Sequence, residues 1–278
     1  MRRILFTLFL GLALVLTASA REYQAYGPQG GLATKITLPE GFNPETDKCP
    51  MVILMHGIFS RKESGLLATI AKGLAKEGIG AIRFDFDGHG KSEGRIEDMT
   101  VEKEIADAMA ILEYTRSLPY VTQIGFLGHS QGGVIASMTA GRLASAGENV
   151  PAALVLLAPG SIIKEACEAG IFFNARFDPK DPPKSVRVFG PRKLGREYIL
   201  STQQLDIFGT AACYKGPVFI VHGAKDNIVP LWCSDRFMEA YQGRATLSIV
   251  DGANHVFARK SKEAAKRVIP FFKEKLSI

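Results

Sequence analysis

With 278 residues, 46% of them hydrophobic and 22% charged, the chain has the make-up of a globular protein able to bury a sizeable core in one domain. Its net charge of +6 comes from scattered bases, among them Arg187, Arg192, Lys193, Arg196, Lys260, Lys262, Lys266 and Arg267. They form no basic stripe with interleaved aromatics, which excludes nucleic acid as a partner, and no stretch is repetitive or low in complexity.

The first segment is a signal peptide by pattern. Arg2-Arg3 begins it, Ile4 to Leu16 is almost wholly apolar, and Thr17-Ala18-Ser19-Ala20 supplies the small residues of a cleavage site. The apolar run is short for a bilayer core of about 30 Å, so residues 1–20 are expected to be removed rather than to anchor the chain. The mature chain is then exported, periplasmic or secreted, with a net charge of +4 once Arg2 and Arg3 are gone. No membrane association is expected after cleavage. Cys49, Cys167, Cys213 and Cys233 allow one or two disulfides in such a compartment, with three full pairings open.

Residues 23–39 alternate weakly and are expected to form antiparallel edge strands. An apolar run at Met51–Met55 predicts a strand, Leu66–Lys76 a helix, and Ile79–Phe86 a second strand, followed by a loop with Gly88, Gly90 and Gly94. Thr100 is an expected N-cap, with Glu102 and Glu104 in the first turn of a helix reaching about Ser117. Ile105, Met109 and Leu112 share one face of it. Strand Gln123–Leu127, helix Gly132–Ala146 and strand Ala152–Ala158 follow. Residues 160–210 lose the pattern and are expected to be a structureless cap over one end of the sheet. Strand Val218–Val221, helix Leu231–Tyr241, strand Thr246–Val250 and a terminal helix from Ser261 complete the chain. Short apolar strands alternating with helices predict an α/β fold, a mostly parallel sheet covered on both faces.

Gly128-His129-Ser130-Gln131-Gly132 follows a predicted strand and opens a predicted helix. That is the setting of a nucleophile elbow, in which a tight turn exposes the serine and the glycines permit close packing. A serine hydroxyl needs a histidine base, itself oriented by a carboxylate. With an elbow of this kind the partners follow in the order serine, acid, histidine. This selects His255 over His222, read as a structural residue at a strand end. Asp226 lies on the loop after the penultimate strand and is preferred as acid. Asp235 falls within a helix, and Asp251 is only four residues before His255. The backbone N–H groups of Gln131 and of Ile58, in His56-Gly57-Ile58-Phe59, are expected to form the oxyanion hole. His56, His89 and His129 are read as structural.

The run Phe84-Asp85-Phe86-Asp87-Gly88-His89-Gly90-Lys91-Ser92-Glu93-Gly94, then Met99-Thr100-Val101 and Gly128-His129-Ser130-Gln131-Gly132-Gly133, resembles the bacterial cinnamoyl (feruloyl) esterases of the α/β-hydrolase superfamily. The likeness extends from about Met51 to Ile269 and includes Leu156-Leu157-Ala158-Pro159 and Gln203-Gln204-Leu205. It implies an α/β-hydrolase domain over residues 21–278 with a cap at about 160–210. It also implies hydrolysis of esters between a hydroxycinnamic acid and a sugar or small alcohol, through an acyl-enzyme. In the family a tyrosine shortly before the Gln-Gln pair binds the phenolic hydroxyl, which corresponds to Tyr198. An acidic residue after the Ala-Pro strand end contributes, and Glu165 is its offset match. Of the cap aromatics Phe172, Phe173, Phe177, Phe189, Tyr198 and Phe208, two are credited with substrate contact and the rest with packing. No metal or organic cofactor is implied. Three other readings remain beside this one. A lipase or monoacylglycerol lipase would want a more aliphatic cap. A serine peptidase on the same fold would usually carry a large accessory domain, for which this chain is short. An inactive hydrolase fold serving as a binding module would not need the full triad.

Overall fold

The computed structural model describes residues 20–276, and the expected signal peptide lies, Ala20 apart, outside them. Strands β1 (Ala20–Gly27) and β2 (Gly30–Thr37) pair antiparallel at the sheet edge. Next come β3 (Cys49–Met55), α1 (Gly65–Lys76), β4 (Gly80–Phe84), α2 (Val101–Ser117), β5 (Val121–His129), α3 (Gln131–Ser145) and β6 (Leu154–Leu157). The cap comprises α4 (Ile163–Glu168), β7 (Ile171–Phe172), β8 (Ala175–Arg176), β9 (Ser185–Phe189), β10 (Arg192–Gly195), α5 (Arg196–Gln203) and α6 (Ile207–Ala212). Then β11 (Val218–Gly223), α7 (Trp232–Ala240), β12 (Ala245–Val250) and α8 (Ser261–Lys275) close the fold.

Eight strands form one sheet in the order β1-β2-β4-β3-β5-β6-β11-β12, parallel from β4 to β12. All residues of β3 and β4 are buried, the expected state of parallel strands covered on both faces, and this is why they read as unbroken apolar runs. On one face α1 and α8 pack Leu67, Ile70, Leu74, Val268 and Phe272 against Val52, Leu54, Leu127 and Val155. On the other, α2, α3, α7 and the cap enclose Ile53, Phe84, Phe126, Val134, Ile135 and Phe237. Local chemistry starts the helices where the sequence indicates: Ser64 accepts from Leu67 N ahead of α1, and the Thr100 side chain accepts from Lys103 N ahead of α2.

From β3 the chain moves outward to β4 on one side and then crosses to β5 on the other. The ends of β3 and β5 therefore lie side by side, with Met55 opposite Gly128, at the point where the strand order reverses. Open parallel sheets bind ligands at such a reversal, because the loops that follow the two strands diverge there and leave a crevice.

Residues 160–210 cover this end of the sheet, but they are not structureless. The two hairpins, β7–β8 and β9–β10, are too short to show period-2 alternation over a useful window, and β10 carries a register shift between Arg192 and Lys193. The disulfides allowed by the sequence are not formed. Cys49, Cys167 and Cys233 are buried free thiols at separate places in the fold, and Cys213 is an exposed one. No helix among the described residues is long and apolar enough to cross a membrane.

Candidate active site

Ser130 sits between β5 and α3 at φ 57° and ψ −124°, a backbone conformation that costs a non-glycine residue about 1–3 kcal/mol. Three main-chain bonds impose it. Ser130 N donates to Leu157 O, and Ser130 O accepts from Gly133 N and Gly160 N, each at 2.9 Å. The turn is also tight enough to require glycine on both flanks. A Cβ on Gly128 would lie 2.0 Å from Gly132 O, and one on Gly132 would lie 2.4 Å from Met55 O.

The structure brings Ser130, His255 and Asp226 into one hydrogen-bonded chain. His255, on the loop between β12 and α8, has Nε2 2.9 Å from Ser130 Oγ and Nδ1 2.7 Å from Asp226 Oδ2. Donation from Nδ1 to the carboxylate leaves Nε2 free to accept the serine proton, which is the arrangement that activates a hydroxyl. Burial pushes the Asp226 carboxyl up, but hydrogen bonds from His222 and His255, with Val229 N–H, outweigh it and hold the group well below the ordinary carboxylate range. Asp226 Oδ1 takes the N–H groups of Ile228 and Val229, both at 2.9 Å, so the acid is fixed on both oxygens.

His222 has a closer part in this chain than its reading as a strand-end residue suggests. Its Nε2 lies 3.0 Å from Val229 O and 3.3 Å from Asp226 Oδ2, while Nδ1 meets Ser234 Oγ at 2.7 Å. It stands behind the acid. His129 Nε2 donates to the carbonyl of His255 at 2.8 Å, bracing the base from the residue beside the serine. Burial lowers His129 to about 3, so it remains a neutral donor.

The loop after β3 runs against the elbow. A Cβ on Gly57 would lie 2.8 Å from Ser130 Cβ, so only glycine lets the loop pass this close. Two neutral histidines hold the loop in place. His56 donates from Nδ1 to Gly57 O (2.8 Å) and accepts from Phe86 N (3.2 Å). His89 donates from Nδ1 to Asp87 O (3.1 Å) and accepts at Nε2 from Phe59 N (3.3 Å), a residue at φ 57°. Burial lowers them to about 3 and about 4 respectively. Further along the loop, the buried Lys62 ammonium meets Asp85 Oδ2 at 2.7 Å, and Lys62 N donates to Oδ1. Ile58 and Gln131 thus border the serine from two sides, and among the described residues neither backbone N–H donates to another protein group. Gln131 N also lies at the N-terminal, positive end of the 15-residue α3.

A cavity of about 360 Å³ opens above Ser130 and His255. Gly57, Ile58, Phe59 and Ser60 line one side, Ile228 and Val256 another, and Phe173, Phe189 and Arg192 come from the cap. Two of the six cap aromatics therefore reach it. Tyr198 does not, and this corrects the placement implied by resemblance. Tyr198 is fully buried on the inner face of α5, edge-on to Phe172, and its hydroxyl donates to Gln131 Oε1 at 2.6 Å. Gln131 Nε2 in turn donates to the buried Glu104 Oε2 at 2.6 Å. Glu165 is likewise not in the cavity; it faces away on α4 and pairs with Arg236 of α7 at 2.6 Å. A wider groove of about 600 Å³ between α2 and α3, near Met109 and Ala146, lies apart from Ser130.

The sheet order and the strand–serine–helix turn are those of the α/β-hydrolase fold. Residues 46–177 match the family model described as serine aminopeptidase, S33. Among solved structures, the chain is similar to Est1E from Butyrivibrio proteoclasticus with ferulic acid bound. The TM-score is 0.85 at 28% identity, covering 92% of this chain and 100% of that one. Two curated relatives are more distant. The mitochondrial palmitoyl-protein thioesterase ABHD10 of Bos taurus is 25% identical over 186 residues, 66% of this chain and 59% of that protein. Protein ABHD12B of Homo sapiens is 24% identical over 208 residues, 73% of this chain and 54% of that protein. The chain thus spans somewhat more than half the length of these two relatives.

Proposed function

We propose that the chain is a serine carboxylesterase that cleaves esters of hydroxycinnamic acids, such as ferulic acid, by an acyl-enzyme route. The observation that carries this reading is the chain Ser130–His255–Asp226 at the floor of a cavity walled by Phe59, Phe173 and Phe189. A flat aromatic acyl group needs such a slot. The likeness to Est1E, a protein with ferulic acid bound in its structure, supports the acyl assignment.

In the first step Ser130 Oγ attacks the ester carbonyl and its proton passes to His255 Nε2. The carbonyl oxygen becomes an oxyanion facing the N–H groups of Ile58 and Gln131. As the carbonyl re-forms, the bond to the alcohol oxygen breaks and the alcohol leaves with the proton from His255. Water then attacks the acyl-Ser130, gives a proton to His255, and the acid departs as Ser130 Oγ regains that proton. Asp226 holds the imidazole in the tautomer that both steps need. The rim side chains Ile58, Ile228 and Val256 favour, as a second reading, an aliphatic acyl ester.

Methyl hydroxycinnamates assayed against p-nitrophenyl esters of rising chain length separate the two. Higher kcat/KM on methyl ferulate is expected, and preference for a medium-chain acyl group would replace the first reading by the second. A fluorophosphonate should label the wild type and not Ser130→Ala. Equal labelling of both would remove Ser130 as nucleophile. Export after cleavage near Ala20 is also proposed, supported by the pattern of residues 1–20. N-terminal sequencing of the mature protein tests it.

A further inference from the structure

We infer that the ester this chain takes carries a carboxylate away from the scissile bond, and that Arg192 is the residue that selects for it. The inference rests on the esterase reading above and adds the charge of the substrate to it.

Arg192 starts β10, directly across the hairpin from Phe189, and lines the cavity that holds Ser130. It is the one residue of fixed charge in that lining. The guanidinium carbon lies 5.6 Å from the Phe189 ring centroid and 5.8 Å from that of Phe59. Contacts of this kind use up none of the guanidinium's conventional hydrogen bonds, because they are made to a ring face rather than to a lone pair. Among the described residues no carboxylate or carbonyl accepts from it. Arg83, Arg116, Arg142, Arg196 and Arg236, by contrast, each have a carboxylate partner.

Five uncommitted donors in a planar fork match a carboxylate in two parallel bonds. The surroundings strengthen the match. Ile58 and Phe59 are half-buried, while Phe173, Phe189 and Arg192 itself are exposed, so the guanidinium stands at the open rim of the cavity, where an incoming anion can reach it. No acidic side chain lines the cavity to repel an anion. Through Phe59 the arginine also touches the loop that carries Ile58, which places the selecting charge beside the reacting end of the substrate.

The carboxylate could belong to the alcohol half of the ester or to the acyl half, and two isosteric pairs separate these sources. Feruloyl glycolate against feruloyl glycolamide tests the alcohol half. Methyl 4-carboxycinnamate against methyl 4-carbamoylcinnamate tests the acyl half. The readout is the ratio of kcat/KM, carboxylate over carboxamide, for wild type, Arg192→Gln and Arg192→Lys. In one pair the ratio is expected to fall about tenfold or more in Arg192→Gln, as for loss of a charge-assisted bond. It should be restored in part by Arg192→Lys and should decline in the wild type as salt is raised. Equal ratios in wild type and Arg192→Gln on both pairs, with the carboxamides still hydrolysed, would overturn the inference and leave the esterase reading intact. If wild type hydrolyses none of the four, the hydroxycinnamate reading fails and this inference with it.

Discussion

Replacing Tyr198 by Phe separates the role implied by family resemblance from the one the geometry gives. The hydroxyl donates to Gln131 Oε1 at 2.6 Å in a fully buried setting, and Gln131 is otherwise tied through Nε2 to Glu104. Removing it strands a buried amide oxygen, which costs about 2 kcal/mol by the usual penalty for an unsatisfied acceptor. For a domain of this size that corresponds to a fall in Tm of about 4–8 °C. Activity should also decline, because Gln131 begins α3 and presents its own N–H beside Ser130. The decline should be the same for methyl ferulate and methyl cinnamate, since Tyr198 does not line the cavity. Thermal unfolding by circular dichroism and kcat/KM on the two esters decide the matter. A selective rise in KM for the hydroxylated ester, with unchanged Tm, would refute the buried role.

Four further outcomes are expected. Asp226→Asn should lower kcat by about four orders of magnitude, through loss of the Nδ1–H tautomer, in a stopped assay at saturating ester. Gly57→Ala should lose activity out of proportion to stability, because its Cβ would press on Ser130 at 2.8 Å; matched kcat and urea-unfolding measurements check this. Lys62→Met leaves the buried Asp85 charge unpaired and should destabilise by about 3–5 kcal/mol, read from the urea midpoint. The fourth outcome concerns Glu104, which burial raises to about 8 against an ordinary value of 4.5. Between those values the folded chain holds a proton that the unfolded chain has released, so this group lowers stability as pH rises, by at most about 1.4 kcal/mol per pH unit. Glu104→Gln removes the dependence, and its stability relative to wild type should improve from pH 5 to pH 8.

The parts of the site set by local chain geometry were legible in the sequence. Ser130 was, because the elbow needs glycine at 128 and 132 within one strand–turn–helix. Asp226 and His255 followed from chain order and from the strands that precede them. The direction of Tyr198 was not legible. It depends on how α5 turns against α3, and its partner Gln131 is 67 residues away in sequence. Arg192 escaped notice as one base among several, since its setting arises only when β9 and β10 pair and bring it against Phe59. The contact of His222 with the acid was hidden for the same kind of reason. The rule of chain order picks the base, and it is silent about a second histidine standing behind the carboxylate. Between 163 and 212 the elements are short, so their stability comes from packing onto the sheet and leaves little periodic trace.

The free thiols set the conditions under which this protein can be handled. Burial raises Cys49 and Cys233 to about 11 and Cys167 to about 12, so at neutral pH these three are protonated and shielded from electrophiles. With no disulfide to form or lose, the fold should come through reducing agents unchanged. Cys213, alone exposed near the end of α6, then becomes a single attachment point. A maleimide dye or a spin label placed there would report from the cap without touching the serine site.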